Sequence, residues 1–353
     1  MDTPDIFSTL SVRAIQAVLL HFNIPDLLSC SRTCLRVCNV AKSLEYEPIS
    51  LDVDISKDGT LLKFNRNNEV CGTWSFKKSG NWNQATVTVS KEESPDTIIY
   101  EEESENVYNS LTSAIIYVTD VLKCTVSTVE IWILGFKPFM LRNLMELRIE
   151  KCLSLMIQIP IKETIPVTRE PWLARVIEHV CATERLYINV PTDANFNCDP
   201  SHFKCHRLVM DKPTPWLTPE KLWNMRCPQM IIRNCPFTLD NFFAFVDKWM
   251  RTNRRENRKF DYLDMHFGDA FKYESVVVDD RFEGKPWNEK LRGQYYLAKN
   301  EAIDCRDGID VIHNDQRLMA TFLRHKHRQN LFFGVWHNPF PVIPEQSGQV
   351  EGR

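Results

Sequence analysis

The spacing of apolar residues changes twice along this chain, and the order of these changes limits what the chain can fold into. Residues 5–44 repeat apolar side chains at the intervals typical of amphipathic helices. Residues 48–90 alternate apolar and polar side chains, as half-buried strands do. Residues 107–335 alternate helix-like stretches with short apolar strands. In a chain of 353 residues, long enough for roughly two to three domains, this order predicts a mixed fold of the α+β or α/β class.

The first segment predicts two short amphipathic helices. The stripe of the first helix follows Ser11 and consists of Val12, Ile15, Val18, Leu19 and Phe22. After a break at Asn23-Ile24-Pro25, the proline suits the first turn of a second helix. The predicted face of that second helix consists of Leu27, Cys30, Cys34, Cys38 and Ala41. So small a unit buries little surface by itself, which indicates that part of its apolar face belongs to a partner.

The second segment predicts an antiparallel meander of three or four strands. The alternating apolar residues are Leu51, Val53 and Ile55, then Trp74 and Phe76, then Val87 and Val89. Residues 91–106 are rich in glutamate, and this stretch predicts a solvated loop.

The third segment predicts strand–helix units of uneven length. The predicted strands are Val129–Leu134, Leu147–Ile149, Leu186–Val190, Arg207–Met210, Met230–Ile232 and Tyr262–Phe267. Units of this kind, each stacking on its neighbours, resemble an irregular leucine-rich-repeat-like domain. An ordinary α/β domain is the alternative. The predicted divisions of the chain are residues 1–45, 46–106 and 107–339, followed by a flexible tail at 340–353.

One helix of the third segment has a clear start and a clear apolar face. Thr238 is a good N-cap, and Asp240 lies in the first turn, where the helix dipole favours an acid. The face consists of Phe242, Phe245, Val246 and Trp249, and we interpret it as core packing.

A basic run lies at the end of this helix and just beyond it. It consists of Lys248, Arg251, Arg254, Arg255, Arg258 and Lys259. We interpret the run as a solvated helix end, where cations are favoured. If the chain binds an acidic partner, Arg251, Arg254, Arg255 and Arg258 are the candidate residues.

Composition and motifs argue against several classes of function. The chain has only 11 glycines, few for a protein that holds phosphates in glycine-rich loops, and it has no Gly-x-Ser-x-Gly, Gly-x-x-x-x-Gly-Lys or His-Glu-x-x-His motif. Its 43 Lys and Arg residues are balanced by 46 Asp and Glu residues, which does not favour nucleic acid. We therefore expect a non-catalytic protein with no cofactor and no nucleic-acid partner. A hydrolase that uses one of the Cys or His residues is the alternative.

The twelve cysteines and the N-terminus indicate where the protein works. The first seven residues carry two acids where a signal peptide needs a basic region, and no apolar run approaches the ~18 residues of a membrane span. We expect an intracellular protein, cytoplasmic or nuclear, with reduced thiols and no membrane contact. Cys30, Cys34 and Cys38 have helical spacing, but no second cluster supplies a fourth ligand, so we interpret them as packing residues and expect no metal.

The first forty-four residues resemble an F-box. The resemblance is carried by Asp5–Val12, Ile15, Val18-Leu19, Phe22, Pro25–Leu28 and Cys30–Cys34. Ser11 stands where the F-box pattern normally has a proline after the leucine.

The rest of the chain resembles the F-box-associated domain of the large nematode F-box family. The matching segments are Leu222–Cys227, Ile231–Cys235, Thr238–Phe243, Lys248–Met250, Gly308–Ile312, Met319–Thr321 and Phe332–Trp336. They follow in the order of that family, and the likeness extends from Ile6 to Trp336. Asn314-Asp315-Gln316 departs from the family's usual basic and Asp-Gly residues.

The resemblance implies a substrate-recognition subunit of a Skp–cullin–F-box ubiquitin ligase. The F-box would bind a Skp-type adaptor, and through it a cullin, while the C-terminal domain binds a target protein whose identity the sequence does not reveal. The residues implied in adaptor binding are Phe7, Leu10, Val12, Ile15, Leu19, Pro25, Leu27 and Leu28. A non-catalytic scaffold acting outside ubiquitination is the alternative.

Overall fold

The computed structural model describes most of the chain in two units. The described residues are 6–56, 59–67, 69–78, 85–88, 101–104, 107–133, 149–159, 172–252, 260–267, 282–298, 301–314, 318–325 and 330–341. The first unit contains residues 1–166 and 170–190, and the second contains residues 167–169 and 191–353. The boundaries expected from the sequence at 45/46, 106/107 and 339/340 stay predictions.

The first unit begins with four short helices. They are α1 (Ile6–Thr9), α2 (Val12–Leu19), α3 (Ile24–Ser31) and α4 (Leu35–Ser43). Ser11 caps α2 by accepting a hydrogen bond from the backbone N of Ala14 at 3.2 Å. Asn23 caps α3 in the same way, accepting from the N of Asp26 at 2.8 Å.

The predicted second helix is divided into α3 and α4, so the expectation of one continuous helical face was wrong. Thr33 Oγ1 donates to the carbonyl of Cys30 at 2.7 Å, a local bond that competes with continuing the helix. Cys34 then has extended backbone angles (φ −154°, ψ 156°) as the N-cap of α4. Cys30 and Cys38 consequently lie on different helices, and Cys34 lies on neither.

The first unit has a mixed sheet with the order β5-β4-β3-β2-β1-β6-β7-β8. Its strands are β1 (Ile49–Ser56), β2 (Gly59–Arg66), β3 (Glu69–Lys78), β4 (Ala85–Thr88), β5 (Glu101–Ser104), β6 (Thr125–Trp132), β7 (Lys151–Gln158) and β8 (Cys181–Asn189). Its later helices are α5 (Val107–Leu122) and α6 (Trp172–His179). The strands β1 to β5 pair antiparallel, whereas β6, β7 and β8 continue the sheet parallel to β1.

The predicted meander is confirmed, and it contains one strand more than expected. Leu51, Val53 and Ile55 are buried along β1 and alternate with half-buried residues. Glu101–Ser104, expected in a solvated loop, instead forms β5 and pairs with β4. It is the last strand in the sheet order, and charged side chains are common on such an edge because they discourage further pairing.

The sequence pattern missed the strand β7. Within the predicted Leu147–Ile149, the described residue Ile149 precedes the strand β7, which begins at Lys151; Leu147, Arg148 and Leu134 lie outside the described residues. A register shift between Cys152 and Ser154 explains the error, because it interrupts the alternation of buried residues on which the sequence pattern depends.

The second unit has a sheet with the order β12-β15-β16-β17-β11-β10-β9. Its strands are β9 (Arg207–Met210), β10 (Gln229–Cys235), β11 (Tyr262–Phe267), β12 (Lys285–Pro286), β15 (Ile309–Ile312), β16 (Met319–His325) and β17 (Asn330–Trp336); β13 (Tyr295–Ala298) and β14 (Glu301–Asp304) form a separate hairpin. Its helices are α7 (Pro219–Asn224), α8 (Leu239–Arg251) and the 3-10 turn Pro200–His202. The predicted strands at 207–210, 230–232 and 262–267 are confirmed.

Helix α8 has the predicted start and the predicted buried face. Thr238 Oγ1 accepts from the N of Asn241 at 3.3 Å, and Asn241 Oδ1 accepts from the N of Thr238 at 3.0 Å, which forms a capping box. All four residues of the predicted face are buried. Trp249, for example, packs edge-on against Phe333 of β17 with ring centroids 5.1 Å apart.

A buried ion pair joins the strands at the other side of this sheet. Arg292 is fully buried, and its Nε donates to both carboxylate oxygens of Asp310 at 2.8 and 3.0 Å. Its Nη2 donates to the carbonyl of Cys305 at 2.8 Å. Asp310 also accepts from Thr321 Oγ1 at 2.7 Å, and Thr321 Oγ1 accepts from Trp336 Nε1 at 2.7 Å. The network therefore connects β15, β16 and β17 through one carboxylate.

His337, just after β17, should make the stability of the fold depend on pH. Its Nε2 lies 2.8 Å from the carbonyl of Phe260 and 3.5 Å from Asp261 Oδ1, and the bond to Asp261 raises the pKa of His337 above its usual 6.5. A raised pKa in the folded state stabilises the fold fully below the unfolded pKa, and this contribution is lost as pH rises through the folded pKa. We expect the urea midpoint of wild type to fall between about pH 6 and about pH 8 more than that of His337→Gln. Equal pH dependence of the two proteins would contradict this.

Candidate interaction surfaces

Four of the residues implied in adaptor binding are core residues of the N-terminal helices. Ile15, Leu19, Leu27 and Leu28 are at most 3% exposed. Phe7 and Leu10 are half-buried, Val12 is 49% exposed, and the side chain of Pro25 lies outside the described residues. Ile15 and Leu19 of the amphipathic stripe thus pack in the core of the N-terminal helices together with Leu27 and Leu28.

Of the apolar side chains that this segment does expose, only Val12 is among the residues implied in adaptor binding. Val12, Val18 and Leu20 on or next to α2, and Leu35 at the start of α4, are 49%, 39%, 61% and 77% exposed. Four of the ten large apolar residues exposed in the described chain therefore lie within residues 12–35. These four side chains are the candidates for an interaction surface of this segment.

The N-terminal helices also dock on the rest of the first unit. Ser31 Oγ in α3 and the hydroxyl of Tyr117 in α5 are 2.5 Å apart; since Ser31 Oγ donates to the carbonyl of Leu28, Tyr117 supplies the hydrogen to Ser31. Lys42 in α4 forms an ion pair with Asp120 in α5. The guanidinium of Arg32 lies over the ring of Trp74 in β3, 5.9 Å from its centroid.

The cysteines are placed mainly for packing. The eleven cysteines with described side chains are thiols rather than disulfides, and six of them are buried: Cys124, Cys152, Cys198, Cys205, Cys227 and Cys305. Burial raises the pKa of Cys152 and of Cys305 to about 12, which leaves little of the reactive thiolate. Within the described ranges, His, Cys, Asp and Glu side chains form no group of three or more that could hold a metal ion.

The basic run is described only in part. Arg251 is exposed, and its Nη2 lies 2.9 Å from Asp247 Oδ1 on the preceding turn. Lys248 has its Nζ over the ring of Trp223, 4.8 Å from the centroid. Arg254, Arg255 and Arg258 lie outside the described residues. Binding of an acidic partner by this run stays a prediction.

A like-charged pair on the sheet of the first unit was not anticipated from the sequence. Asp54 of β1 and Glu130 of β6 are register partners in neighbouring parallel strands, and both side chains are half-buried. Burial is the main cause that raises the pKa of both carboxyl groups, and for Glu130 the charge of Asp54 raises it further. Only the pairing of two strands brings these residues together across 76 positions of the chain, so no local motif could have revealed them.

Comparisons with known proteins give one informative similarity. No family model matches this chain, and no solved structure matches it. It is similar to a protein of Caenorhabditis elegans named "Uncharacterized protein F59B2.9", with 27% identity over 186 residues. The match covers 50% of this chain and 40% of that protein. Among the helices of the described part of the chain, none combines the length and apolar character needed to cross a bilayer.

Proposed function

We propose that this protein is the substrate-recognition subunit of a Skp–cullin–F-box ubiquitin ligase. In this proposal α1 to α4 are an F-box that binds a Skp-type adaptor, and through it a cullin, and the strand–helix part that follows is an irregular leucine-rich-repeat-like domain that holds a target protein. The chain itself forms and breaks no covalent bond. It works by proximity, because holding the target's lysines near the charged ubiquitin carrier raises their effective concentration.

The concentration of exposed apolar side chains at Val12, Val18, Leu20 and Leu35 is the observation that carries the proposal. A short helical segment that buries one stripe in its own core and still exposes several aliphatic groups has a second apolar surface to cover. Parallel strand–helix–strand units at β7-α6-β8, β9-α7-β10 and β10-α8-β11 support the repeat-like part of the proposal. The relative is a protein of a nematode, as are the members of the family that the sequence resembles.

Capture of a purified Skp-type adaptor by the full chain tests this function. We expect wild type to bind and Leu20→Glu/Leu35→Glu to bind about thirtyfold more weakly or worse, because charges replace the two most exposed apolar side chains of the proposed interface. The control is Val70→Glu/Leu153→Glu, which changes exposed apolar residues elsewhere in the first unit and should bind like wild type. If the first double variant binds as well as the control, the adaptor does not use this surface.

A non-catalytic scaffold acting outside ubiquitination is the second candidate. The docking of α3 and α4 on α5 and β3 favours it, since a helical segment that packs on its own domain has a structural role even without a partner. The same capture assay separates the two functions. Failure of wild type to bind any Skp-type adaptor would leave the scaffold.

A further inference from the structure

The sheet of the first unit has one buried face and one face that is only half-buried. Buried and half-buried residues alternate along β1, and the register carries this alternation across to β6, β7 and β8. One row across the half-buried face runs from Asp54 through Glu130 and Met156 to Tyr187. We call the surface around this row the acidic sheet face.

The two carboxylates of this row are incompletely compensated within the described chain. Lys63 of β2 is the nearby cation, and its Nζ lies 3.8 Å from Asp54 Oδ2. Glu130 accepts a hydrogen bond from the neutral side chain of Gln158. Two adjacent carboxylates thus share one lysine, although like charges in register destabilise a sheet. One more positive group beside Asp54 and Glu130 would reduce the repulsion between their carboxylates.

A second polar group on the same face lacks a donor. Asn189 of β8 is the register partner of Gln158, and its Oδ1 is buried without a hydrogen-bond donor from the described residues. A buried acceptor left unpaired is unfavourable, and native structures keep few of them. The acceptors that this face offers to a ligand are therefore the carboxylates of Asp54 and Glu130, since the Oδ1 of Asn189 lies below the surface, and a ligand rich in donors would complete them.

We propose that the acidic sheet face binds an extended segment of a partner protein through an arginine whose guanidinium lies between Asp54 and Glu130. Arginine fits because its planar group has five donors in a fixed fork, suited to carboxylates, and because it gives up hydration more readily than lysine does. Its methylene stem would pack on Met156, the next residue in the row. The view that this docking site recognises the target protein rests on the proposed function.

Short synthetic peptides test the proposal with the full chain. One peptide library has arginine fixed at its centre, and a second has citrulline there, which keeps the shape and removes the charge. Both are measured with and without a chelator against wild type, Asp54→Asn/Glu130→Gln and the control Glu178→Gln/Glu184→Gln. The control removes the same charge from exposed residues of the same unit. The amide side chains of Asp54→Asn/Glu130→Gln carry no charge and remove the repulsion between the two carboxylates. The melting temperature of this variant should therefore not fall below that of wild type.

The expected result is a set of arginine peptides that wild type and the control bind at least about tenfold more tightly than their citrulline counterparts. Asp54→Asn/Glu130→Gln should lose this preference. The proposal would be overturned if arginine and citrulline peptides bound equally, or if both variants lost the preference for arginine equally. It would also be overturned if Asp54→Asn/Glu130→Gln kept the preference, or if the preference needed a divalent cation. Binding of the adaptor by the N-terminal helices is measured in a separate capture assay. Failure to bind the adaptor would refute the ligase function and would not affect the peptide result.

Discussion

Replacing Arg292 by Met is expected to lower the free energy of unfolding by about 3–5 kcal/mol, because it leaves the carboxylate of Asp310 buried without its counter-charge. The carbonyl of Cys305 would lose its donor as well. Denaturant unfolding followed by tryptophan fluorescence measures the change, and Trp336 reports on it directly, since the guanidinium of Arg292 lies 4.9 Å from the centre of its ring.

Arg306→Met is the matched control for this prediction. Arg306 also forms an ion pair, with Asp304 at 2.7 Å, but its side chain is 53% exposed, so water screens the pair and its loss should matter far less. The double variant Arg292→Met/Asp310→Asn should be more stable than Arg292→Met alone, because it removes the uncompensated charge. If Arg292→Met and Arg306→Met lowered the free energy of unfolding by similar amounts, burial would not be the reason that the Arg292–Asp310 pair stabilises the fold.

Replacing both Leu27 and Leu28 by Ala should unfold the N-terminal helices. Each side chain is at most 3% exposed, and truncating a buried leucine to alanine costs about 2–5 kcal/mol. Hydrogen exchange of the backbone amides in α3 and α4 measures the loss. Adaptor capture should fall too, but as a consequence of unfolding rather than of lost contact.

The exposed pair Leu20→Ala/Leu35→Ala is the control for the helices. These residues are 61% and 77% exposed, so amide protection in α3 and α4 should stay at the wild-type level. Unchanged protection in Leu27→Ala/Leu28→Ala would mean that the helices are held by their contacts with α5 and β3 alone.

Local sequence patterns predicted those helices and strands in which the burial of a residue follows from the residues next to it in the sequence. The alternation of Leu51, Val53 and Ile55 located β1, and Thr238 with its following apolar face located α8. The pattern failed where a single local irregularity broke it, at the register shift after Cys152 and at the extended Cys34. Pairing of β1 with β6 depends on energies between distant segments, which no window of sequence contains.

The candidate surfaces were less predictable than the fold for a related reason. Periodicity finds the apolar stripe of a helix, but Ile15 and Leu19 of that stripe pack in the helical core, and the apolar side chains exposed most in this segment, Leu20 and Leu35, are not part of it. Which apolar groups face outward is decided by how α2 to α4 pack on one another. The pairing of Asp54 with Glu130 likewise exists only once the sheet has formed.

The position of β1 between β2 and β6 has a consequence for the kinetics of folding. Its antiparallel partner β2 follows within a few residues, so this hairpin can close on the microsecond scale and while the chain is still being synthesised. Its parallel partner β6 spans Thr125–Trp132. Closing the long loop between β1 and β6 costs more conformational entropy before the two strands can pair. One edge of β1 must therefore stay unpaired until α5 and β6 have formed, and an unpaired strand edge is prone to aggregation during folding.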